Sequence, residues 1–210
     1  MNLIIATRNP GKIDEIRRLL TGLPVEVGYL GNFADIEEVA ETGSTFHENA
    51  RLKASGYALQ TGNYALADDS GLEIAALGGA PGVLSARYGG ENMGYPEKMK
   101  LVLSKLAEIP AAETPENARN EPGDRRARFT CVMAVASPEG EILHEAEGIC
   151  AGKIAREPRG TGGFGYDPIF IPDGFSATFG ELGDDIKQQI SHRARAISEI
   201  MRFLLDFTHI

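Results

Sequence analysis

Apolar and polar positions along this chain fall into two periods. Residues 2–6 (NLIIA) form a short apolar run of the length of a buried strand. From Lys12 to Leu20, Ile13, Ile16 and Leu20 recur with the spacing of an amphipathic helix. Thr45–Ala58 repeats that period, with Phe46, Ala50, Ala54 and Tyr57 on one face. The stretch YALADDSGLEI (64–74) reads as strand, acidic turn, strand. Residues 96–107 predict a helix opening on Pro96, where the missing N–H costs nothing. Two strand-like runs, 127–136 and 141–150, flank Ser137-Pro138-Glu139-Gly140, which is a hairpin signal. Ser191–Phe207 predicts a last helix with Ala194, Ile197, Met201, Leu204 and Leu205 as its stripe. Residues 110–124 are polar, acidic and Pro-containing, as a mobile loop would be. Strands mix with helices throughout, so the class is α/β or α+β with a mixed sheet.

Composition narrows the function more than the fold. No apolar run approaches the roughly 20 residues of a membrane span, and MNLIIATRNPGK lacks a basic leader. No membrane partner and no export are therefore expected. Cys131 and Cys150 sit in strand-like apolar runs without metal-type spacing, which fits core packing in a reducing cytoplasm. A net charge of −9 argues against a nucleic acid polymer, which needs a basic face. It leaves room for a small anion held by a few converging cations.

Five stretches carry candidate chemistry. Thr7-Arg8-Asn9-Pro10-Gly11-Lys12 sits between a strand and a helix. It resembles a P-loop but lacks its first Gly and its closing hydroxyl, having Ala6 and Ile13 there. A helix N-terminus offers free N–H groups, and Lys12 opposes its dipole unless an anion is present. An Asn-Pro-Gly turn with a solvated lysine is the other reading. Asp68 and Asp69 offer the oxygen donors Mg²⁺ prefers, or else an Asp/Ser/Gly turn capping itself. Glu41, nearest the start of the helix bearing Asn49 and Lys53, is the carboxylate to group with them. In GTGGFGYDP (160–168) four glycines admit close approach and Phe164 and Tyr166 offer rings for stacking, or else anchor a loop in the core. Lys187, His192 and Arg193 put cations around a helix start, where they call for an electron-rich ligand.

With these stretches in order, the chain resembles the ITP/XTP pyrophosphatase family. The matching strings are ATRNPGK, ETGSTFHENARLKA, LADDSGLEI, LGGAPGVLSARYGG, REPRGTGGFGYDPIF and ISHRARA, running from residue 6 to 196. The resemblance implies one domain of two lobes over 1–210, an α/β fold with an elongated central mixed sheet, and an active site in the cleft between lobes. It implies hydrolysis of non-standard purine nucleoside triphosphates (ITP, dITP, XTP) to monophosphate and pyrophosphate, with Mg²⁺ and as a homodimer. It places Thr7, Arg8, Asn9, Pro10, Gly11 and Lys12 in the triphosphate-binding turn, with Lys53 on phosphate and Ser70 on substrate. Arg8 and Pro10 depart from the small residues other members often carry there. Glu41, Asp69 and Asp68 are the metal ligands the resemblance implies, Asp69 also being the proton acceptor. Phe164, Gly165, Tyr166 and Asp167 take the base-binding segment, and Lys187, His192 and Arg193 contact the base. Two other readings stay open: the same fold acting on pyrimidine or modified nucleotides, and a nucleotide-binding module without turnover.

Overall fold

The computed structural model describes residues 1–109 and 124–208. The loop expected over 110–124 lies outside them except for Asp124. The described strands are β1 (Asn2–Ile5), β2 (Glu26–Tyr29), β3 (Tyr64–Ile74), β4 (Arg126–Ala136), β5 (Ile142–Ile154) and β6 (Phe170–Pro172). The helices are α1 (Pro10–Leu19), α2 (Phe46–Thr61), α3 (Tyr95–Glu108), α4 (Asp184–Ile190) and α5 (His192–Thr208). The sheet order is β2-β1-β3-β4-β5-β6. β1 runs parallel to β2 and β3, with Ile5 opposite Tyr29 and Leu66, while β5 and β6 are antiparallel. The fold is α/β with a mixed sheet, and the hairpin at 137–140 closes through Ser137 N to Glu141 O at 2.8 Å.

The chain divides into two compact units. The first holds Met1–Ser70, Thr130–Ile149 and the residues from Gln188 onward. Its core takes Leu3, Ile5 and Leu66 from the strands, and Cys131, Met133 and Val135 from one face of β4. Ile16 and Leu20 cover them from the α1 side, and Ala196, Ile197, Ile200 and Leu204 from α5. Each large apolar side chain so buried contributes about 1.5–3 kcal/mol. Cys131 is a core residue, and burial, then the nearby Asp68 charge, pushes its thiol up to about 12, so it is unreactive. The start of α5 lies flat on β5 because residue 148 is glycine: a Cβ there would stand 2.0 Å from the His192 carbonyl oxygen. That contact fixes the height of His192 and Arg193 above the strand.

The second unit holds Gly71–Phe129 and Cys150–Lys187. Phe129, Phe170 and Phe179 pack ring to ring at its centre, with Phe129 and Phe170 centroids 4.6 Å apart. Leu72, Ile74, Val102 and Leu106 are buried in the same unit.

Two elements differ from expectation. β3 is unbroken through Asp68 and Asp69, so there is no acidic turn. β1 pairs with its start, Ile5 opposite Leu66, and β4 is its neighbour on the other edge, so the sheet holds the backbone extended where a turn would otherwise form. The pleat instead turns the two neighbouring carboxylates to different partners, Asp68 to Lys12 and Arg193 and Asp69 to Asn49 and Lys53. α4 was invisible because seven residues are too few to display a helical period. Among the described residues no helix is long and apolar enough to cross a membrane.

Candidate active site

In the first unit, chemistry is built on β3, α2 and the starts of α1 and α5. α2 is capped by Thr45, whose hydroxyl accepts from Glu48 N at 3.1 Å, and closes on Gly62. Its buried stripe reads Phe46, Asn49, Ala50, Lys53, Ala54, Tyr57. Two polar residues thus lie where packing alone would place apolar ones. Asn49 donates to Asp69 Oδ2 at 3.1 Å, and its Oδ1 accepts from Gly43 N at 2.8 Å, tying the segment after Glu41 to the strand. Lys53 Nζ lies 2.7 Å from Glu41 Oε1 and 3.2 Å from Asp69 Oδ1. Burial lowers the Lys53 pKa, but the charges of Asp69, Asp68 and Glu41 outweigh it and raise it overall. Asp69 shifts the other way from most carboxylates: burial raises it, and the opposing pull of Lys53 and Lys12 does not cancel that rise.

Asp68 is the most committed carboxylate. Its Oδ2 receives Lys12 Nζ at 3.0 Å, Ser70 Oγ at 3.1 Å and Arg193 Nη2 at 3.2 Å. Burial alone would raise its pKa; Lys12, Arg193 and Lys53 overcome this and hold it well below the usual carboxylate range. Arg193 is itself 1% exposed, and it also pairs with Glu15 and donates to Ser70 Oγ at 2.9 Å.

The Thr7–Lys12 turn is both a cap and a site. Asn9 Oδ1 accepts from Gly11 N at 2.9 Å and Lys12 N at 3.3 Å, and its carbonyl accepts from Ile13 N. Thr7 Oγ1 accepts from Asn9 N at 3.2 Å, and Pro10 has no N–H. The expected free amides of this helix start are therefore already taken, because the Asn-Pro-Gly sequence caps itself. An anion would meet the side chains of this turn, the Lys12 ammonium first among them. The anion needed to offset Lys12 at the dipole's positive end is supplied internally by Asp68. Arg8 is exposed and donates to Ile36 O at 2.7 Å.

The second unit carries the aromatic segment. Asp167 is 2% exposed; its Oδ2 accepts from Lys187 Nζ at 2.6 Å and from Phe164 N at 2.8 Å. Gly163 makes room: at φ +69° it bears no Cβ, which would stand 2.1 Å from that oxygen. Lys187 Nζ lies 4.6 Å from the Phe164 ring centroid. Tyr166 is buried, donates to Ser85 O at 3.1 Å and meets Tyr95 edge-on. Burial raises its pKa. Its ring belongs to the core of this unit, so of the two rings it is the half-buried Phe164 that is left to stack on a ligand.

The structure thus gathers Lys12, Glu41, Lys53, Asp68, Asp69, Ser70 and Arg193 in one unit, and Phe164, Gly165, Tyr166, Asp167 and Lys187 in the other. His192 is buried at the head of α5. Sequence reasoning missed Glu15 and the structural use of Asn49. Asn49 and Lys53 carried a signal, being polar residues on an otherwise apolar helical stripe. Glu15 carried none, since its partner lies 178 positions away.

Glu41, Asp68 and Asp69 offer carboxylate oxygens, the donors a hard divalent ion takes. Asp68 Oδ1 is buried without a hydrogen-bond partner. These donors fit such an ion chemically. Among the described residues, however, no three His, Cys, Asp or Glu side chains are grouped to hold one. The Lys53 ammonium bridges Glu41 and Asp69 instead.

The Ham1 family model matches residues 3–203. The dITP/XTP pyrophosphatase of Desulforamulus reducens is 45% identical over 204 residues, covering 97% of this chain and 96% of that protein. That of Bacillus subtilis is 45% identical over 201 residues, covering 96% of each. Among solved structures, a HAM1 protein from Coxiella burnetii has a TM-score of 0.82 at 42% identity, covering 98% of this chain and 99% of that one. The Staphylococcus aureus Ham1 protein has a TM-score of 0.80 at 38% identity, covering 97% and 98%.

Proposed function

The chain belongs to the Ham1 family, and on that premise we propose that it hydrolyses ITP, dITP and XTP to the nucleoside monophosphate and pyrophosphate. The names of its relatives support this reading. The observation that carries it is the buried cluster of Asp68 and Asp69 with Lys12, Lys53 and Arg193. A protein that only binds a polyanion has little use for two extra carboxylates beside its lysines. The family model runs through both units, which supports treating residues 1–210 as one functional domain. A cytoplasmic location and a homodimer belong to the same proposal.

In this mechanism Lys12 and Lys53 take the triphosphate, with Asn9 and Ser70 as polar contacts. Arg193 acts through Asp68, holding its carboxylate and the Ser70 hydroxyl in register. Glu41, Asp69 and Asp68 would hold Mg²⁺, which when bound supplies Lewis acidity and lowers the pKa of a coordinated water. Asp69 takes the proton of the attacking water. Its raised pKa makes it a better base than an ordinary carboxylate, and Asn49 fixes its orientation. Charge leaving on pyrophosphate is met by the lysines, since phosphoryl transfer is mostly positioning and electrostatics. The purine ring stacks on Phe164, which the Lys187–Asp167 pair holds in place.

Donors around the base accept the 6-oxo group and oppose the 6-amino group of adenine. A buried unpaired donor costs about 1–3 kcal/mol. A panel of triphosphates therefore is expected to show kcat/KM for ITP and XTP at least about tenfold above ATP. Equal rates on ATP, or a preference for pyrimidines, would contradict the assignment.

A further inference from the structure

The lysines assigned to phosphate are resting on the carboxylates assigned to the metal. Lys53 Nζ bridges Glu41 Oε1 and Asp69 Oδ1 at 2.7 and 3.2 Å, and Lys12 Nζ holds Asp68 Oδ2 at 3.0 Å. The pairs are shielded: the side chains of Lys53 and Asp69 are 9% and 7% exposed, and those of Lys12 and Asp68 15% and 0%. Water screens such contacts poorly, so both attraction and repulsion act at close to full strength. A divalent ion approaching Glu41 and Asp69 meets an ammonium that already lies between them and offsets one of their two charges.

We infer that Lys53 and Lys12 are resting counter-ions of this carboxylate set, which makes divalent-cation binding conditional on the triphosphate. The inference rests on the triphosphate reading above. A polyphosphate is the stronger partner for two ammonium groups on flexible stems. As it draws them over, Glu41 and Asp69 are uncovered for the cation, and Asp68 gives up one of its two direct cations. Arg193 stays with Asp68, because its guanidinium is buried and shared with Glu15 and Ser70. The coupling is reciprocal: whatever factor the nucleotide adds to cation affinity, the cation adds to nucleotide affinity. The protein without nucleotide therefore holds its acid–base carboxylate neutralised and unmetallated, and assembles the hydrolytic site only around a substrate.

The test is Mn²⁺ binding without nucleotide, read from the free-ion electron paramagnetic resonance signal. Wild-type protein is expected to bind weakly, and Lys53→Met at least tenfold more tightly. Lys12→Met, which leaves Asp68 with Arg193 alone of its two direct cations, is expected to tighten binding too, and carries the test if Lys53→Met does not fold. Lys153→Met, which removes an exposed lysine from β5, controls for lost positive charge and is expected to change nothing. Wild-type affinity equal to that of the Lys53 variant overturns the inference, as does equal tightening by Lys153→Met. Turnover of ITP decides the triphosphate reading separately, so the two failures are distinguishable.

Discussion

Asp69→Asn is expected to lower kcat for ITP by about 10³-fold while the protein stays folded. The substitution keeps the size of the side chain and an oxygen for Lys53, but removes the group that accepts the proton. Burial holds the Asp69 carboxyl above its ordinary pKa, so folding tightens its hold on the proton. Its contribution to stability is present below the unfolded value of about 3.9 and is lost as pH rises through the raised folded value. The Asn variant lacks that loss but turns its own amide toward the Asn49 amide, so a small fall in melting temperature at neutral pH is expected. Near-wild-type kcat in a folded Asp69→Asn protein would remove Asp69 from the chemistry.

The largest effect on stability is expected at Arg193. Its guanidinium is buried against Asp68, whose side chain is fully enclosed. Arg193→Met strips one partner from a buried pair and is expected to cost about 3 kcal/mol in denaturant unfolding. Asp68 keeps Lys12 and Ser70, so the fold is weakened without being abolished. The pH dependence has a definite sign. A depressed carboxyl contributes stability above its unfolded pKa of about 3.9, lost as pH falls through the folded value. Removing Arg193 lets the Asp68 pKa climb, so acid unfolding shifts to higher pH. Adding Asp68→Asn to Arg193→Met is expected to recover part of the loss, since the fully enclosed charge is then gone and Lys12 and Glu15, which lose these contacts, are each partly open to water. A variant as stable as wild type would mean that the pair contributes nothing net.

The helices were legible because their ends and stripes are written locally. Asn9 and Pro10 announce the start of α1, Thr45 and Gly62 the limits of α2, and Ile197 and Leu204 the inner face of α5. The acidic pair misled because Asp, Asp, Ser and Gly in a row carry turn chemistry, and only flanking strands make such a run extended. Lys12 and Arg193 were each seen to need an anion at a helix start. A ligand was the natural guess; the structure supplies Asp68 and Glu15. Local rules expose an unbalanced charge, but the partner is brought in by tertiary folding. Tyr166 shows the same limit. A Gly-rich aromatic segment signals close packing, yet whether a ring packs on a ligand or on the core depends on Ser85 and Tyr95, far away in the chain.

The site is proposed to cut between the α and β phosphates with water as the nucleophile. The most direct measurement is product analysis of ITP hydrolysis in heavy-oxygen water. IMP and pyrophosphate in equal amounts, with the heavy oxygen in IMP, is the predicted result. Release of orthophosphate with IDP, or label in the pyrophosphate, would contradict it.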